Sequence, residues 1–205
     1  MNLNVFHGFY EYRARKINLL ETHISRNLVD LELVQWLRSF NKNTCLVTTS
    51  SCSGRVTMHI GINPLDKRGS LLIGSWHDPD RAYEDLCKNS TKPLTNGPLP
   101  KGFKIMWMSL QPPIIHIVSP SLNLLSMLLG KAVETGMRRS CLRGSRHGWQ
   151  LEVKSGDKSI YYFNWPPDCN IARSIAGILA EYKARFRLWM NAALAISMEY
   201  KCENS

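Results

Sequence analysis

The sequence contains no long uninterrupted apolar run and no close pair of cysteines, and each absence argues against a class of protein. Its most apolar stretch, residues 112–130, is interrupted by His116, Pro120 and Asn123, so it falls short of the about 20 apolar residues that a membrane span needs. The cysteines are Cys45, Cys52, Cys87, Cys141, Cys169 and Cys202. Their scattered spacing argues against a zinc ribbon, an iron–sulfur site and a disulfide framework. We therefore expect no metal site, no membrane span and mostly reduced cysteines in a cytoplasmic protein.

The motifs of several large enzyme classes are also missing. No GxGxxG follows a predicted strand, and the sequence contains no Walker loop, HExxH, EF-hand or nucleophile elbow. Polar and charged residues interrupt the N-terminal segment from its start, which predicts no signal peptide. Motifs of this kind therefore name no reaction for the chain.

Basic residues outnumber acidic ones, with 26 Lys and Arg against 16 Asp and Glu and a formal net charge of +10. Such an excess favours polyanionic partners, nucleic acid first and an acidic membrane surface second. The alternative is a basic surface that only aids solubility. The 205 residues, of which 44% are hydrophobic, suffice for a sizeable core, and we expect a single domain over residues 1–205.

The spacing of apolar residues predicts helices interspersed with groups of strands. Helices are predicted at residues 9–24, after the capping residue Asp30, from Asp78-Pro79 to about Cys87, from residues 119–121 to Gly136, and after Asp168. Strands are predicted at 45–49, 55–60, 71–75, 104–110, 114–118, 149–154 and 159–163, with a hairpin turn at 155–158 and a surface loop at 89–102. The pattern indicates an α+β fold with mixed, largely antiparallel strands and a long C-terminal helix, and not a Rossmann-type fold.

The most unusual local feature is the segment Thr48-Thr49-Ser50-Ser51-Cys52-Ser53-Gly54-Arg55, which lies between two predicted strands. A tight loop of small residues lets successive backbone N–H groups converge on an anionic or carboxylate ligand, and the arginine adds a paired donor. The alternative is a hairpin turn in which Ser53-Gly54 only supplies conformational freedom.

Four blocks of the sequence follow one another in the order of one known family. The first is the segment from Thr48 to Arg55, which we call the signature, and the second is Trp76-His77. The third is the proline-aliphatic-His-Val strand from Gln111 to Val118, and the fourth is Gly136-Met137-Arg138-Arg139-Ser140. With the helical pair before the signature, most of the chain resembles the tRNA wybutosine-synthesising protein 3 family.

The resemblance implies an activity that composition and spacing do not name. Members of that family use S-adenosylmethionine to methylate N4 of a 4-demethylwyosine-type base, which derives from the guanosine beside the anticodon of tRNA-Phe. They do so without the usual Rossmann-type methyltransferase fold. The resemblance thus implies a cytoplasmic tRNA methyltransferase whose partner is the anticodon stem-loop. Two alternatives stay open: a non-catalytic basic RNA-binding module with the same fold, and a methyltransferase for another modified base.

The same resemblance assigns roles to the matched residues. The cofactor-binding candidates are Ser50, Ser51, Cys52, Ser53, Gly54, Arg55, Trp76, His77, Ile115, His116, Ile117, Val118, Ala132, Gly136, Arg138 and Ser140. His77 and Arg55 are the catalytic candidates, because imidazole can accept the proton that a methylated ring nitrogen loses, and guanidinium neutralises an anion. We treat Cys52 as a small packing residue, since methyl transfer from a sulfonium needs no covalent intermediate.

Each of these roles has a structural alternative. His77 can instead orient the substrate or cap the following helix, and Arg55 can form a structural salt bridge. Trp76 can stack on a base or belong to the core, and His116 can line a cofactor pocket or be a satisfied core histidine. The RNA-binding candidates are Arg13, Arg15, Lys16, Lys92, Lys101, Lys104, Arg138, Arg139, Arg143 and Arg146. The alternative for this set is a solvated charged surface.

Overall fold

The structure is a computed structural model that describes residues 8–62, 70–88, 105–163 and 168–202. The helices are α1 (Phe9–Ser25), α2 (Leu31–Phe40), α3 (Pro79–Tyr83), which continues as a π-helical turn at Glu84–Lys88, α4 (Leu122–Glu134) and α5 (Cys169–Glu199). The strands are β1 (Val47–Cys52), β2 (Arg55–Gly61), β3 (Ser70–Trp76), β4 (Ile105–Gln111), β5 (Ile114–Ser119), β6 (Cys141–Ser145), β7 (Gly148–Lys154) and β8 (Ser159–Phe163). The predicted surface loop and the basic candidates Lys92, Lys101 and Lys104 lie outside the described residues.

The strands form two four-stranded sheets, one in the order β1-β5-β7-β6 and the other in the order β3-β2-β4-β8. Neighbouring strands are antiparallel throughout these two sheets. The helices and the long C-terminal α5 complete an α+β architecture. The predicted fold class is confirmed.

Neither the hairpin predicted at residues 155–158 nor the alternative hairpin at Ser53-Gly54 is observed. β1 pairs with β5 whereas β2 pairs with β3 and β4, so the Ser53-Gly54 turn joins strands of different sheets. β7 likewise pairs with β5 and β6, whereas β8 pairs with β4. The sequence analysis did not predict strand β6. This strand has only five residues, and because two of them are Arg143 and Gly144, it lacks the alternation of apolar and polar residues that indicates a strand.

The residue contacts divide the chain into two compact units. The first unit contains the described residues up to Ser53, Pro113–Gly156 and those from Ala184 onward, and the second contains Gly54–Pro112 and Asp157–Lys183. Each sheet belongs to one unit, and the signature passes from the first unit to the second between Ser53 and Gly54. The expectation of one domain over the whole chain stays a prediction.

The core of the first unit is built from α2, α4, one face of its sheet and the C-terminal part of α5. Leu37, Phe40, Ile115 and Trp189 are among its completely buried side chains. The Trp189 indole donates to the carbonyl of Leu128 at 3.1 Å, so its one polar atom is satisfied inside the core. Burying an aliphatic or phenyl side chain of this size stabilises the fold by about 1.5–3 kcal/mol.

The second unit has its own core between its sheet and the N-terminal part of α5. Val56, Met58, Leu110 and Leu179 are completely buried there. Val56 and Met58 are two residues apart on β2, whereas Leu179 belongs to the apolar series of α5. Apolar side chains repeat every two residues along the strand and about every 3.6 residues along the helix. The two repeats thus place apolar side chains on opposite sides of one core.

Polar side chains cap α3 and α5 where the sequence predicts it. The Asp78 carboxylate accepts hydrogen bonds from the backbone N–H groups of Asp80 and Arg81 at 2.9 and 3.0 Å, with Pro79 in the first turn. Asp168 accepts from the N–H of Asn170 at 2.7 Å. These carboxylates satisfy N–H groups that have no partner within the helix.

The expectation of mostly reduced cysteines is wrong for four of them. Cys45 and Cys202 form a disulfide within the first unit, and Cys87 and Cys169 form another within the second. The paired residues lie 157 and 82 positions apart in the sequence, so local spacing could not reveal them. Among the helices that the structure describes, none is long and apolar enough to cross a membrane.

Candidate functional site

Asp30 lies at the signature rather than on its predicted helix cap. It occupies the N-cap position of α2 but makes no side-chain capping bond there. Its carboxylate instead accepts a hydrogen bond from the N–H of Ser53 at 2.7 Å. The N–H of Ser53, which we expected to bind an anionic ligand, is therefore directed at a carboxylate of the chain itself. A negative group beside this turn favours a cationic neighbour over an anionic one.

His77 contacts the signature through Gly54. Its Nδ1 lies 3.1 Å from the carbonyl oxygen of Gly54, which has a φ of 85° that favours glycine. Because a carbonyl only accepts, Nδ1 carries the hydrogen, and in the neutral ring Nε2 keeps the lone pair. The carbonyl of His77 accepts from the ammonium of Lys183 at 2.9 Å, and Lys183 is 5% exposed. The sequence predicted the closeness of His77 to the signature but not the buried lysine behind it.

Arg55 is held by a side chain of the neighbouring strand. It lies opposite Gln111 in the pairing of β2 with β4, and its Nε donates to the Gln111 side-chain oxygen at 3.1 Å. Within the described parts of the chain Arg55 makes no ion pair, so the structural salt bridge that we considered is not observed. One edge of its guanidinium is thus positioned by a neutral partner, which leaves its charge uncompensated there.

Trp76 packs in the core of the second unit and is 8% exposed. Its indole donates to the Asp85 carboxylate at 2.8 Å, and its ring lies against Gly74, where an added Cβ would sit 2.2 Å from the ring. A ring enclosed in this way offers no open face to a base. The geometry supports the packing alternative for Trp76.

His116 pairs with Glu152, a residue that the sequence analysis missed. Its Nε2 lies 2.9 Å from the Glu152 carboxylate, and both side chains are 23% exposed. The two residues are direct partners in the β5–β7 register, and Ser50 is the partner of His116 on β1. The carboxylate fixes the hydrogen on Nε2, so the neutral ring keeps its lone pair on Nδ1. His116 is satisfied, as its core alternative expects, yet it lies on the same sheet face as a signature serine.

The apolar candidates belong to the interior of the first unit. Ile115, Ile117 and Ala132 are completely buried in its core, and Val118 is 2% exposed and packs with Phe9 and Val47. Such side chains contact other core residues and do not border an open slot. Their contribution is to hold β5 and α4 in place.

The fourth block of the resemblance ends a helix. Gly136, at a φ of 85°, follows α4, with its N–H bonded to the Val133 carbonyl and that of Met137 bonded to the Ala132 carbonyl. This is a Schellman motif, which satisfies the last carbonyls of a helix. Ser140 then accepts from the N–H of Lys154 at 3.2 Å. Gly136 and Ser140 therefore have structural partners, whereas Arg138 is exposed.

The basic candidates differ in what they contact. The Arg13 guanidinium donates to the carbonyls of Asn41, Asn43 and Leu46, and burial lowers the pKa of Arg13. These contacts favour a structural role for it. Arg15, Lys16 and Arg146 line one groove of the first unit. The remaining described candidates are Arg138 and Arg139, both exposed, and Arg143, which donates to Gln150 at 3.1 Å.

The two antiparallel sheets define a class of α+β protein that is distinct from the doubly wound Rossmann type. Within the described residues there is no cluster of three or more His, Cys, Asp or Glu that could hold a metal ion. The sequence profile of the family described as Methyltransferase TYW3 matches residues 12–166, which is more than half of the chain. The chain belongs to this methyltransferase family.

Similar proteins agree with this assignment. A tRNA(Phe) 7-((3-amino-3-carboxypropyl)-4-demethylwyosine(37)-N(4))-methyltransferase of Archaeoglobus fulgidus is 32% identical over 112 residues, which cover 55% of this chain and 52% of that protein. An enzyme of the same name from Methanocaldococcus jannaschii is 31% identical over 137 residues, covering 66% of each. The chain thus matches between half and two thirds of the length of these relatives. The solved structure of the PH1069 protein from Pyrococcus horikoshii has the same fold, with a TM-score of 0.76 at 20% identity over 92% of this chain and 97% of that one.

Proposed function

We propose that this protein is a tRNA methyltransferase that adds a methyl group to N4 of a 4-demethylwyosine-type base in tRNA(Phe). The match of residues 12–166 to the Methyltransferase TYW3 family carries the proposal. The names of the archaeal relatives support the choice of tRNA(Phe) and of a substrate base that already bears a 3-amino-3-carboxypropyl side chain. A cytoplasmic location belongs to the same proposal.

We further propose S-adenosylmethionine as the methyl donor. When bound, it supplies an electrophilic methyl group on a positively charged sulfur, together with an ammonium and a carboxylate. Arg55, whose guanidinium is oriented by Gln111, can pair with that carboxylate.

His77 is the proposed general base. A ring nitrogen that forms a bond to a methyl carbon must lose its proton, and a correctly placed imidazole can accept it. The bond from Nδ1 to Gly54 places the hydrogen on Nδ1 and therefore the lone pair of the neutral ring on Nε2. The buried Lys183 ammonium donates to the carbonyl of the same residue. Both contacts are to the backbone, so they orient the ring and do not depend on the substrate.

Mass spectrometry of the RNA after a methylation reaction tests the proposal. The substrate is tRNA purified from cells whose wybutosine pathway stops one methyl short, incubated with the protein and S-adenosylmethionine. We expect the modified base to gain one methyl group. The His77→Gln variant should lower kcat by about 100- to 10,000-fold, because it removes a general base. Calorimetry should show that this variant still binds S-adenosylmethionine with nearly unchanged affinity.

His59→Gln provides a matched control, because His59 belongs to the same unit but contacts Thr57 and Trp107 and none of the residues assigned here. It should keep the wild-type kcat. Binding of RNA without any binding of S-adenosylmethionine would identify a non-catalytic module and contradict the proposal. Methylation of a different base would contradict the assigned substrate while keeping the reaction class.

A further inference from the structure

A groove runs along α1 on the first unit and ends at the signature. Its wider part has a volume of about 450 Å³ and is lined by Tyr12, Arg15, Lys16, Leu19, Arg146 and His147. An adjoining cavity shares Lys16 and Leu19 with it and continues to Thr48, Thr49, Ser50 and Ser51 on β1. We call these two connected parts the α1 groove.

The lining of the α1 groove carries charge of one sign. Arg15, Lys16 and Arg146 contribute three permanent positive charges, and no aspartate or glutamate is among the described residues that line either part. Within the described chain these three side chains form no ion pair with a carboxylate. Arg13, on the same helix, differs because three backbone carbonyls bind its guanidinium. Three uncompensated cations in one concave surface match a polyanion.

Two aromatic rings stack in the wider part of the groove. The Tyr12 and His147 ring centroids are 4.1 Å apart, and the ring planes differ by 15°. The Lys16 ammonium lies 5.4 Å from the centroid of the Tyr12 ring. Proteins commonly bind single-stranded nucleic acid with aromatic rings that lie next to cations. An unpaired base stacks on a ring while its phosphate contacts a positive charge.

We propose that the α1 groove binds a single-stranded segment of the RNA substrate. Arg15, Lys16 and Arg146 contact its phosphates, and one unpaired base stacks on the Tyr12–His147 pair. The groove leads to Ser50 and Ser51, so the strand approaches the signature along α1. The inference rests on the proposed function in taking tRNA as the partner. Paired bases expose no stacking face, so a duplex lacks one of the two contacts.

Fluorescence anisotropy with a labelled anticodon stem-loop RNA tests the charged part of the groove. The double variant Arg15→Gln/Arg146→Gln should bind about tenfold more weakly, and the slope of log K against log salt should fall by about 1.4, which corresponds to two lost single-strand phosphate contacts. The control is Lys131→Gln/Arg187→Gln, which removes the same charge from exposed positions on α4 and α5 of the same unit. The control should keep the wild-type affinity to within about twofold and the wild-type salt slope to within about 0.3.

Replacing one ring tests the stacked pair. Tyr12→Leu should weaken binding of single-stranded oligo-U by about 5- to 100-fold, since it removes a stacking surface, whereas Tyr12→Phe keeps the ring and should bind like wild type. His147→Ala, in the turn between β6 and β7, should reproduce the loss with less risk to the fold. Duplex RNA should compete poorly with either labelled strand.

Separate measurements of RNA affinity and of tRNA methylation distinguish this inference from the proposed function. If the groove variants bind RNA like wild type while methylation of tRNA is observed, the groove inference is overturned and the function stands. If wild type methylates nothing but the groove variants lose RNA affinity as described, the groove stands and the function fails. Preferential binding of wild type to vesicles of anionic phospholipid, with no affinity for RNA, would overturn the groove inference as well.

Discussion

Hydrogen bonds to the ring nitrogens of His77 and His116 determine which nitrogen carries the hydrogen in the neutral ring. Nδ1 of His77 is committed to a backbone carbonyl and Nε2 of His116 to a carboxylate. In the neutral rings the lone pair therefore lies on Nε2 of His77 and on Nδ1 of His116. Only a ring nitrogen that remains accessible to substrate can act as a base, so these assignments decide where a reacting proton must lie.

The surroundings of His59 disfavour its protonated form. Its Nε2 lies 3.0 Å from the Thr57 hydroxyl, and its ring stacks on Trp107 with a centroid distance of 5.5 Å. Its buried Nδ1 has no hydrogen-bond partner among the described residues. Burial, followed by the nearby positive charge of Lys158, lowers the pKa of His59. Protonation would place a charge on an atom that no group of the described chain stabilises.

We expect the protein to lose stability as the pH falls below about 6.5, the ordinary pKa of an unfolded histidine. There the unfolded chain binds a proton at His59 that the folded chain does not, so the free energy of unfolding falls with pH until the lowered pKa of the folded state is also passed. Above that range the residue adds no pH dependence. Urea unfolding of wild type and His59→Gln at several pH values measures this, and the variant should show the shallower decline. Parallel curves for the two proteins would contradict it.

At the scale of elements, the sequence located strands better than it located their partners. The predicted strand at 55–60 is part of the observed β2, and that at 114–118 is part of the observed β5. The turn signal at Gly156 predicted a hairpin and that at Ser53-Gly54 left a hairpin open as an alternative, but each turn joins strands of different sheets. A turn motif fixes only the local direction of the backbone, whereas pairing is decided by which apolar faces can be buried together. Local reasoning therefore cannot supply the register.

Two glycines, one within α4 and one just after it, should change the stability of the protein in opposite directions when each is replaced by alanine. Gly130 lies within the helix, and an added Cβ would have no atom within 4 Å. Gly130→Ala should therefore raise the free energy of unfolding by about 0.5–1 kcal/mol, through helix propensity. Gly136 follows the helix at a φ of 85°, and an added Cβ would lie 3.2 Å from Cδ of Arg185. Gly136→Ala should lower the free energy of unfolding by about 1–2 kcal/mol, because an L-residue is strained in the left-handed region.

Chemical denaturation of the two α4 variants provides the measurement, and each serves as the control for the other. Both add one methyl group to a glycine on the same element, so a shared change in solubility or expression would affect them alike. Equal losses of stability would mean that Gly130 has a packing role that its open surroundings do not show. Unchanged stability of Gly136→Ala would mean that the Schellman motif tolerates a side chain.

At the scale of the whole molecule, the candidate site was predictable only where its residues are close in sequence or belong to a recognised block. The resemblance brought together the signature and Trp76-His77, and the contact of His77 with Gly54 agrees with it. The partners Asp30 and Glu152 were missed because they lie 23 and 36 positions from the residues that they bind. No period of helix or strand connects such pairs, so only the folded chain reveals them.

The two disulfides should stabilise the folded molecule, and their presence can be tested chemically. Cys45–Cys202 and Cys87–Cys169 join Cα atoms 5.6 and 5.2 Å apart, a separation typical of disulfides, across 157 and 82 positions of sequence. Each closes a long loop, which in the chain-entropy view restricts the unfolded chain and stabilises the fold by about 4–5 kcal/mol. Thiol alkylation before and after reduction, followed by mass spectrometry, should label Cys52 and Cys141 first and the paired cysteines only after reduction.

Stability measurements show whether the bonds matter once formed. Cys45→Ser should lower the free energy of unfolding of the unreduced protein by about 2–5 kcal/mol. In dithiothreitol the same variant should differ little from wild type, because the disulfide is then absent from both. Cys141→Ser is the matched control, since Cys141 is exposed and outside both disulfides. It should leave stability unchanged in either condition. If dithiothreitol leaves the wild-type unfolding curve where it was, the paired cysteines do not form stabilising bonds, and the expectation of reduced thiols drawn from their scattered spacing would hold after all.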